Sequence, residues 1–341
     1  MANDDVGVRA IEALFEQLMV DEAWAVRTPR GFTWWAYRLA QHVEAGPPTS
    51  DGRNEVCEVK VWTDVAVDAD PSRSPSSVVE LANMQQTLNA VVWRPDEGTV
   101  SECCTAVITS ENIGWLGKVL TCAAVLQNTA AHSRAHALAG LVGGVPAASN
   151  HPRSGERPEM DDILNAPRAV LVPAGKTESA FAGPYTEALG PFVTQLGLLG
   201  FSDSAGFTCE VPFTGRRPAA ETSVTGDPPE MALVKVSPDA PHPAFGNGAL
   251  LTMTLPLHFD KDRVPKIANQ LNELESGAGT DTTLLGSWCR DPTTDDGTLA
   301  FNAFIPNALA QPGLLENLVI YQAVRSIFAA SVLVKPTTAC E

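Results

Sequence analysis

The sequence predicts an α+β protein made of two tandem copies of one unit, each in the order α-β-β-β-α-β-β-α, with antiparallel sheets flanked by helices. Three observations carry that expectation. The 341 residues exceed what one core comfortably fills. Helical and alternating apolar patterns run through nearly the same order twice. One stretch also recurs residue for residue: Val78-x-x-Leu81-Ala82-Asn83-x4-Leu88 matches Val264-x-x-Ile267-Ala268-Asn269-x4-Leu274. A tryptophan (Trp93 or Trp288) and an acidic Gly-Thr turn (96–99 or 295–298) follow each copy.

The elements follow in order. Val8, Ile11, Leu14, Phe15 and Leu18 mark one face of an opening helix. Strands are expected over 23–27 and 32–43, joined by Thr28-Pro29-Arg30-Gly31, a hairpin signal. The next strand, 55–67, places Cys57, Val59, Val61, Val65 and Val67 at odd positions. Ser74-Pro75 reads as the cap and first residue of a helix to about residue 88. A hairpin (90–93 and 99–109) and a long helix from 113 to about 139 close the first unit near Gly143-Gly144.

The second copy reads as strand 168–172, helix 178–199, strands 207–211, 231–236 and 249–259, helix 261–274, hairpin 284–305 and helix 314–333. Domains are therefore expected at 1–145 and 166–341, with a Pro/Ser/Gly-rich linker at 146–165 and an inserted loop at 215–229.

Composition narrows the function classes. With 44% hydrophobic residues the chain can bury a core, and its 23 Lys and Arg against 40 Asp and Glu give a net charge of −17. Such a surface repels phosphate backbones and anionic lipid, which argues against nucleic-acid and membrane partners. The acidic start, Met1-Ala2-Asn3-Asp4-Asp5, is unlike a secretory or transit peptide. Seven cysteines without a C-x-x-C pair fit reduced thiols in a cytoplasmic protein.

The element order and the Leu-Ala-Asn helix resemble the type III secretion chaperone-like fold, shared by the YbjN and Tir-chaperone-like families. The resemblance covers nearly the whole chain, once per half. It implies small acidic proteins that act as homodimers and bind extended client segments; a fused pair would be a covalent pseudo-dimer. The insertion at 215–229 and the linker depart from the simplest members.

No catalytic, cofactor or metal motif stands complete. Gly175-Lys176-Thr177 ends like a phosphate-binding loop, but the position of its first glycine holds Val170. His132 and His136 share a helix face without an evident third ligand. Gly200-Phe201-Ser202-Asp203-Ser204 only superficially resembles a nucleophile elbow, and Gly246-Asn247-Gly248 lacks the third glycine of a dinucleotide fingerprint. Cys103 and Cys104 are adjacent, so one thiol is expected to be buried and one outward.

The expected function is therefore a non-enzymatic module that holds a protein segment, for which the acidic surface favours basic charge, or serves in an assembly. Two alternatives stay open: an enzyme or small-molecule-binding protein with a site between the halves, and an immunity-type or structural adaptor. Alternation along 32–43 turns Trp35, Tyr37, Leu39 and Val43 inward and Trp34, Ala36, Arg38 and His42 outward. On the neighbouring strand Val56, Glu58, Lys60, Trp62 and Asp64 also turn outward. Trp34, Arg38, Val56 and Trp62 are thus the expected partner-binding residues. Even so, packing of both tryptophans against the other half or the linker stands as an equal alternative.

Overall fold

The structure, a computed structural model, describes residues 5–50, 52–85, 87–167, 178–213, 230–277, 282–294 and 297–334. It is an α+β protein with two antiparallel sheets and several helices. Helix α1 (Val6–Gln17) starts where the Asp5 carboxylate accepts from the Gly7 and Val8 amides, and it buries Val6, Ala10, Ile11, Leu14 and Phe15. Strands β1 (Ala25–Thr28), β2 (Gly31–Trp35), β3 (Ala40–Ala45), β4 (Thr49–Ser50) and β5 (Glu55–Val67) follow. Helix α2 (Pro75–Asn83), the hairpin β6 (Ala90–Arg94) and β7 (Thr99–Thr109), helix α3 (Ile113–Val142) and β8 (Val145–Pro146) complete the first half. Gly143 stops α3 in the left-handed region at φ 71°, a conformation glycine adopts without a Cβ clash.

The first sheet runs β1-β2-β3-β5-β7-β6, with β4 and β8 paired to β5. In the second half, α4 (Pro184–Glu187) and α5 (Leu189–Gln195) precede β9 (Gly200–Asp203), β10 (Gly206–Pro212), β11 (Met231–Ser237) and β12 (Gly248–His258). Helix α6 (Val264–Glu275), β13 (Ser287–Arg290), β14 (Thr298–Pro306) and helix α7 (Leu314–Leu333) follow. The second sheet runs β13-β14-β12-β11-β10-β9.

Three sequence expectations change. Residues 32–43 are not one strand: bends at 36–39 divide β2 from β3, which pair antiparallel with Phe32 opposite Val43 and Trp34 opposite Gln41. Counting alternation through that turn inverts the faces of β2, because one residue of slip exchanges core and solvent sides. Helix 178–199 is shorter than expected, reduced to the short helices α4 and α5, and an edge strand that was not expected, β9, starts at Gly200. With β3 and β9 added, and the two-residue β4 left aside, four strands, not three, precede α2 and likewise α6. The expected strand 168–172, the Gly175-Lys176-Thr177 fragment and the loop 215–229 lie outside the described residues.

The expected linker is laid over the first sheet. His151 is buried between Trp24 and Trp35, with ring centroids 5.9 and 5.2 Å away. Arg157 donates to the Trp35 carbonyl at 2.8 Å, and the Asp161 amide donates to the Ala36 carbonyl.

A continuous cluster of buried apolar residues joins both halves. At their seam, the Thr105 amide donates to the Leu284 carbonyl while Leu284 N–H donates to Thr105 Oγ1 at 3.0 Å. Thr283 Oγ1 accepts from the Val107 amide. The contact is reciprocal in kind: Arg94 of β6 reaches Ser276 beyond α6, and Arg290 of β13 reaches Glu80 of α2. Cys103 and Cys104 do fall on opposite faces, but both are buried, because the second half covers the Cys103 side near Ser276.

Candidate partner-binding face

Register places every outward position of the first sheet. The row Thr33, His42, Trp62, Cys103 and Ala90 runs across the face away from α1 and α3. The row Trp34, Gln41, Thr63 and Glu102 runs across the helix-covered face. Trp34 is therefore a core residue at 0% exposure, and its expected outward position is corrected.

The other expected residues separate. Arg38 sits in the bend at 36–39, its guanidinium 4.7 Å from the Tyr37 ring centre and ion-paired with Glu156. Val56 and Trp62 share the outer face of β5, but six positions apart, about 20 Å along a strand. The four residues thus form no single patch.

What gathers around Trp62 is different. His42 stacks on its indole at 4.9 Å between centroids with an interplanar angle of 19°. Thr33 Oγ1 lies 3.0 Å from His42 Nδ1 and holds the imidazole in plane. Lys60 Nζ stands 5.1 Å from the indole centre, within cation–π reach. Glu44, Glu58 and Asp64 share this face by register and alternation. Burial pushes the His42 pKa down despite the nearby Asp64 and Glu44 carboxylates, so the imidazole is the neutral form at pH 7. Burial likewise lowers the Lys60 pKa. The result is a half-buried aromatic platform carrying one cation and flanked by carboxylates.

Two hollows flank α3. One, of about 570 Å³, lies between Tyr37–Leu39, the α3 residues around His132 and the segment holding Met160 and Leu164. The other, of about 450 Å³, lies between α3 around Cys122 and Val125 and residues Ala308–Gln311. His132 is fully used inside the fold: Nε2 accepts from the Leu39 amide at 3.2 Å, which leaves Nδ1–H to donate to the Asn128 carbonyl at 2.9 Å. It has no lone pair left for a metal. Among the described residues no group of three or more His, Cys, Asp or Glu is arranged to hold an ion.

Burial also raises the thiols, to about 12 for Cys122 and Cys289 and about 11 for Cys209, far above where a thiolate nucleophile works. Gly200–Asp203 forms an edge strand leading into β10, not the strand-to-helix turn of a nucleophile elbow. Among the described residues no helix is long and apolar enough to cross a membrane.

Comparison of the chain with protein-family models, curated proteins and solved structures finds no match.

Proposed function

We propose that the chain is a binding protein without catalytic activity, a tandem pair of one α+β unit that holds a segment of a client protein in the cytoplasm. The tandem reading, with units at 1–145 and 166–341, is supported by the strand paths. Written from the outer edge inward, they are β1-β2-β3-β5-β7-β6 and β9-β10-β11-β12-β14-β13. In both, a helix follows the fourth strand of the path and a long helix follows the hairpin. The resemblance to secretion chaperones implies such a covalent pseudo-dimer, although with three strands before the helix in each unit where this chain has one more.

The observation that carries the binding role is the Trp62–His42 stack on the sheet face that neither α1 nor α3 covers. A rigid indole with a polar edge is the kind of group that anchors interfaces. With net charge −17 and Glu44, Glu58 and Asp64 on the same face, the fitting client is basic.

The test is capture of clients from the native host, followed by cross-link mapping. Cross-links should originate from the outer face of β3 and β5, capture should weaken as salt rises, and Trp62→Ala should lose it while the protein still melts cooperatively. Full capture by Trp62→Ala rejects the assignment. A second reading, a small-molecule-binding protein with its site between the halves, is favoured by one observation: a polar cavity where α2, α6 and β13 meet.

A further inference from the structure

The two sheets have corresponding outer edges, β1 in the first and β9 in the second. An edge strand presents unpaired peptide groups, which proteins guard with charge or with a covering segment. β1 has both guards. Arg27 stands on it, ion-paired with Glu12 of α1, and the segment after β8 reaches its start, where Ser154 Oγ donates to the Ala23 carbonyl. β9 is exposed along all four of its residues and carries no charge before Asp203 at its far end. Among the described residues β10 alone pairs with it.

Register settles which groups of β9 are open. Gly200 lies opposite Cys209 and Phe201 opposite Thr208, and the Glu210 amide donates to the Leu199 carbonyl. Peptide groups alternate along an antiparallel strand, so those of Leu199, Phe201 and Asp203 face β10, and those of Gly200 and Ser202 face out. Leu199 and Phe201 share a sheet face with Thr208 and Leu233, and the three apolar side chains are 73%, 58% and 46% exposed in chain order. One acid, Glu210, and one base, Lys235, stand beside them on that face. A basic client finds no excess of carboxylates here, unlike the face around Trp62. The edge instead complements itself. Set antiparallel against a two-fold copy with Gly200 opposite Gly200, it brings Leu199 of each chain against Phe201 of the other. Asp203 then falls opposite the turn at Gly197 and not against an apolar side chain.

We propose that β9 pairs with β9 of a second copy of this chain about a two-fold axis at Gly200, making the two six-stranded sheets continuous. Gly200 exchanges both of its hydrogen bonds with its copy, and each Ser202 N–H donates to the Leu198 carbonyl of the other chain. The two Leu199–Phe201 pairs close the outer face beside Leu233. The interface uses no residue of the Trp62 face, so it stands independently of the client-binding reading.

Analytical ultracentrifugation of the full chain tests this. The unaltered chain should sediment at twice its own mass at about 100 µM, where a Kd of about 10 µM or tighter leaves mostly dimer. Ser202→Pro removes only an N–H that faces out, a change edge strands tolerate, so the variant should still melt cooperatively. It deletes two hydrogen bonds per dimer and should weaken dimerisation at least about tenfold. Phe201→Lys, at an exposed position, should weaken it by a similar factor and decides alone if the proline variant does not fold. Trp62→Ala should leave the dimer unchanged. A monomer at that concentration overturns the proposal, because the edge is then filled by the chain's own residues or by another partner. A dimer that survives Phe201→Lys, or one that Trp62→Ala disrupts, overturns it as well.

Discussion

Asn269 of the second half and Trp93 of the first meet as an amide pair: Asn269 Oδ1 accepts from Trp93 N–H, and Asn269 Nδ2 donates to the Trp93 carbonyl, both at 2.8 Å. Strand β6 is the edge of its sheet, so alternate peptide groups along it have no strand partner. Asn83 closes the neighbouring open position in the same way, with Val91 N–H and C=O at 2.7 and 2.8 Å. At the other edge Asn272 does so for Trp288. The sequence-matched asparagines therefore do different work: Asn83 holds its own strand, Asn269 holds the other half's, and Asn272 takes the own-strand role in the second half.

Each clamp satisfies one backbone donor and one acceptor that would otherwise be buried bare. Asn83→Ala and Asn269→Ala should each cost about 1–3 kcal/mol. Urea melts check this, and a change near zero for both would show the edge finding other partners.

The buried pair Glu275–Arg325 makes a larger effect. Glu275 accepts from Arg325 Nε at 2.9 Å and from Trp288 Nε1 at 2.5 Å. Arg325 also donates to Gln322 Oε1 and the Thr283 carbonyl and lies 3.6 Å from the Phe301 ring centre. Arg325→Met alone should cost about 3–5 kcal/mol, because it leaves a buried carboxylate unpaired. Adding Glu275→Gln should recover much of that while keeping an acceptor for Trp288. A double-mutant cycle with no coupling would contradict it.

Much of the fold could be read from pattern, and particular residues show why the rest could not. β5 alternates strictly, Cys57, Val59 and Val61 inward and Glu58, Lys60 and Trp62 outward, so its faces were legible. The bend at 36–39 carries no Gly or Pro to mark it, so alternation along the sequence places Trp34 on the wrong face. β9 is an edge strand exposed along its whole length, and without alternating burial it left no strand signal. Trp62 was legible as outward, but the His42 stack depends on cross-strand register. Glu80 and Arg290 lie in different halves, so nothing local announces their pairing.

Acid should destabilise the protein through its half-buried histidines. Burial lowers the folded-state pKa of His132 below the ordinary 6.5, and protonation would also replace the Nε2 lone pair that accepts from Leu39. The unfolded chain then binds more protons, so the stabilisation is complete above about pH 6.5 and is lost as pH falls toward the folded-state value. His42 and His242 shift in the same direction. Asp5 acts lower: chiefly through its hydrogen bond with Arg30 its pKa is depressed, so its contribution fades only in stronger acid. Stability measured between about pH 7 and 5 should fall, and His132→Gln should flatten the slope. An unchanged slope in that variant would assign the effect elsewhere.

Trp34 gives the sharpest contrast with Trp62. It is fully buried among the residues beneath α1 and α3, yet its indole Nε1 has no hydrogen-bond partner. Truncation to alanine removes the ring's burial and leaves a cavity, so Trp34→Ala should cost about 3–5 kcal/mol. Trp34→Phe is different, because the smaller ring loses contacts but also removes an unsatisfied donor whose desolvation costs about 1–3 kcal/mol. The two effects oppose each other, and the phenylalanine variant should stay within about 1.5 kcal/mol of the parent. Trp62 is half-buried on the open face, so Trp62→Ala should cost less than Trp34→Ala. Denaturant melts of the three variants decide it. A Trp34→Phe loss as large as that of Trp34→Ala would mean that the indole N–H does have a partner in solution, and that ring shape alone does not explain why this position holds tryptophan.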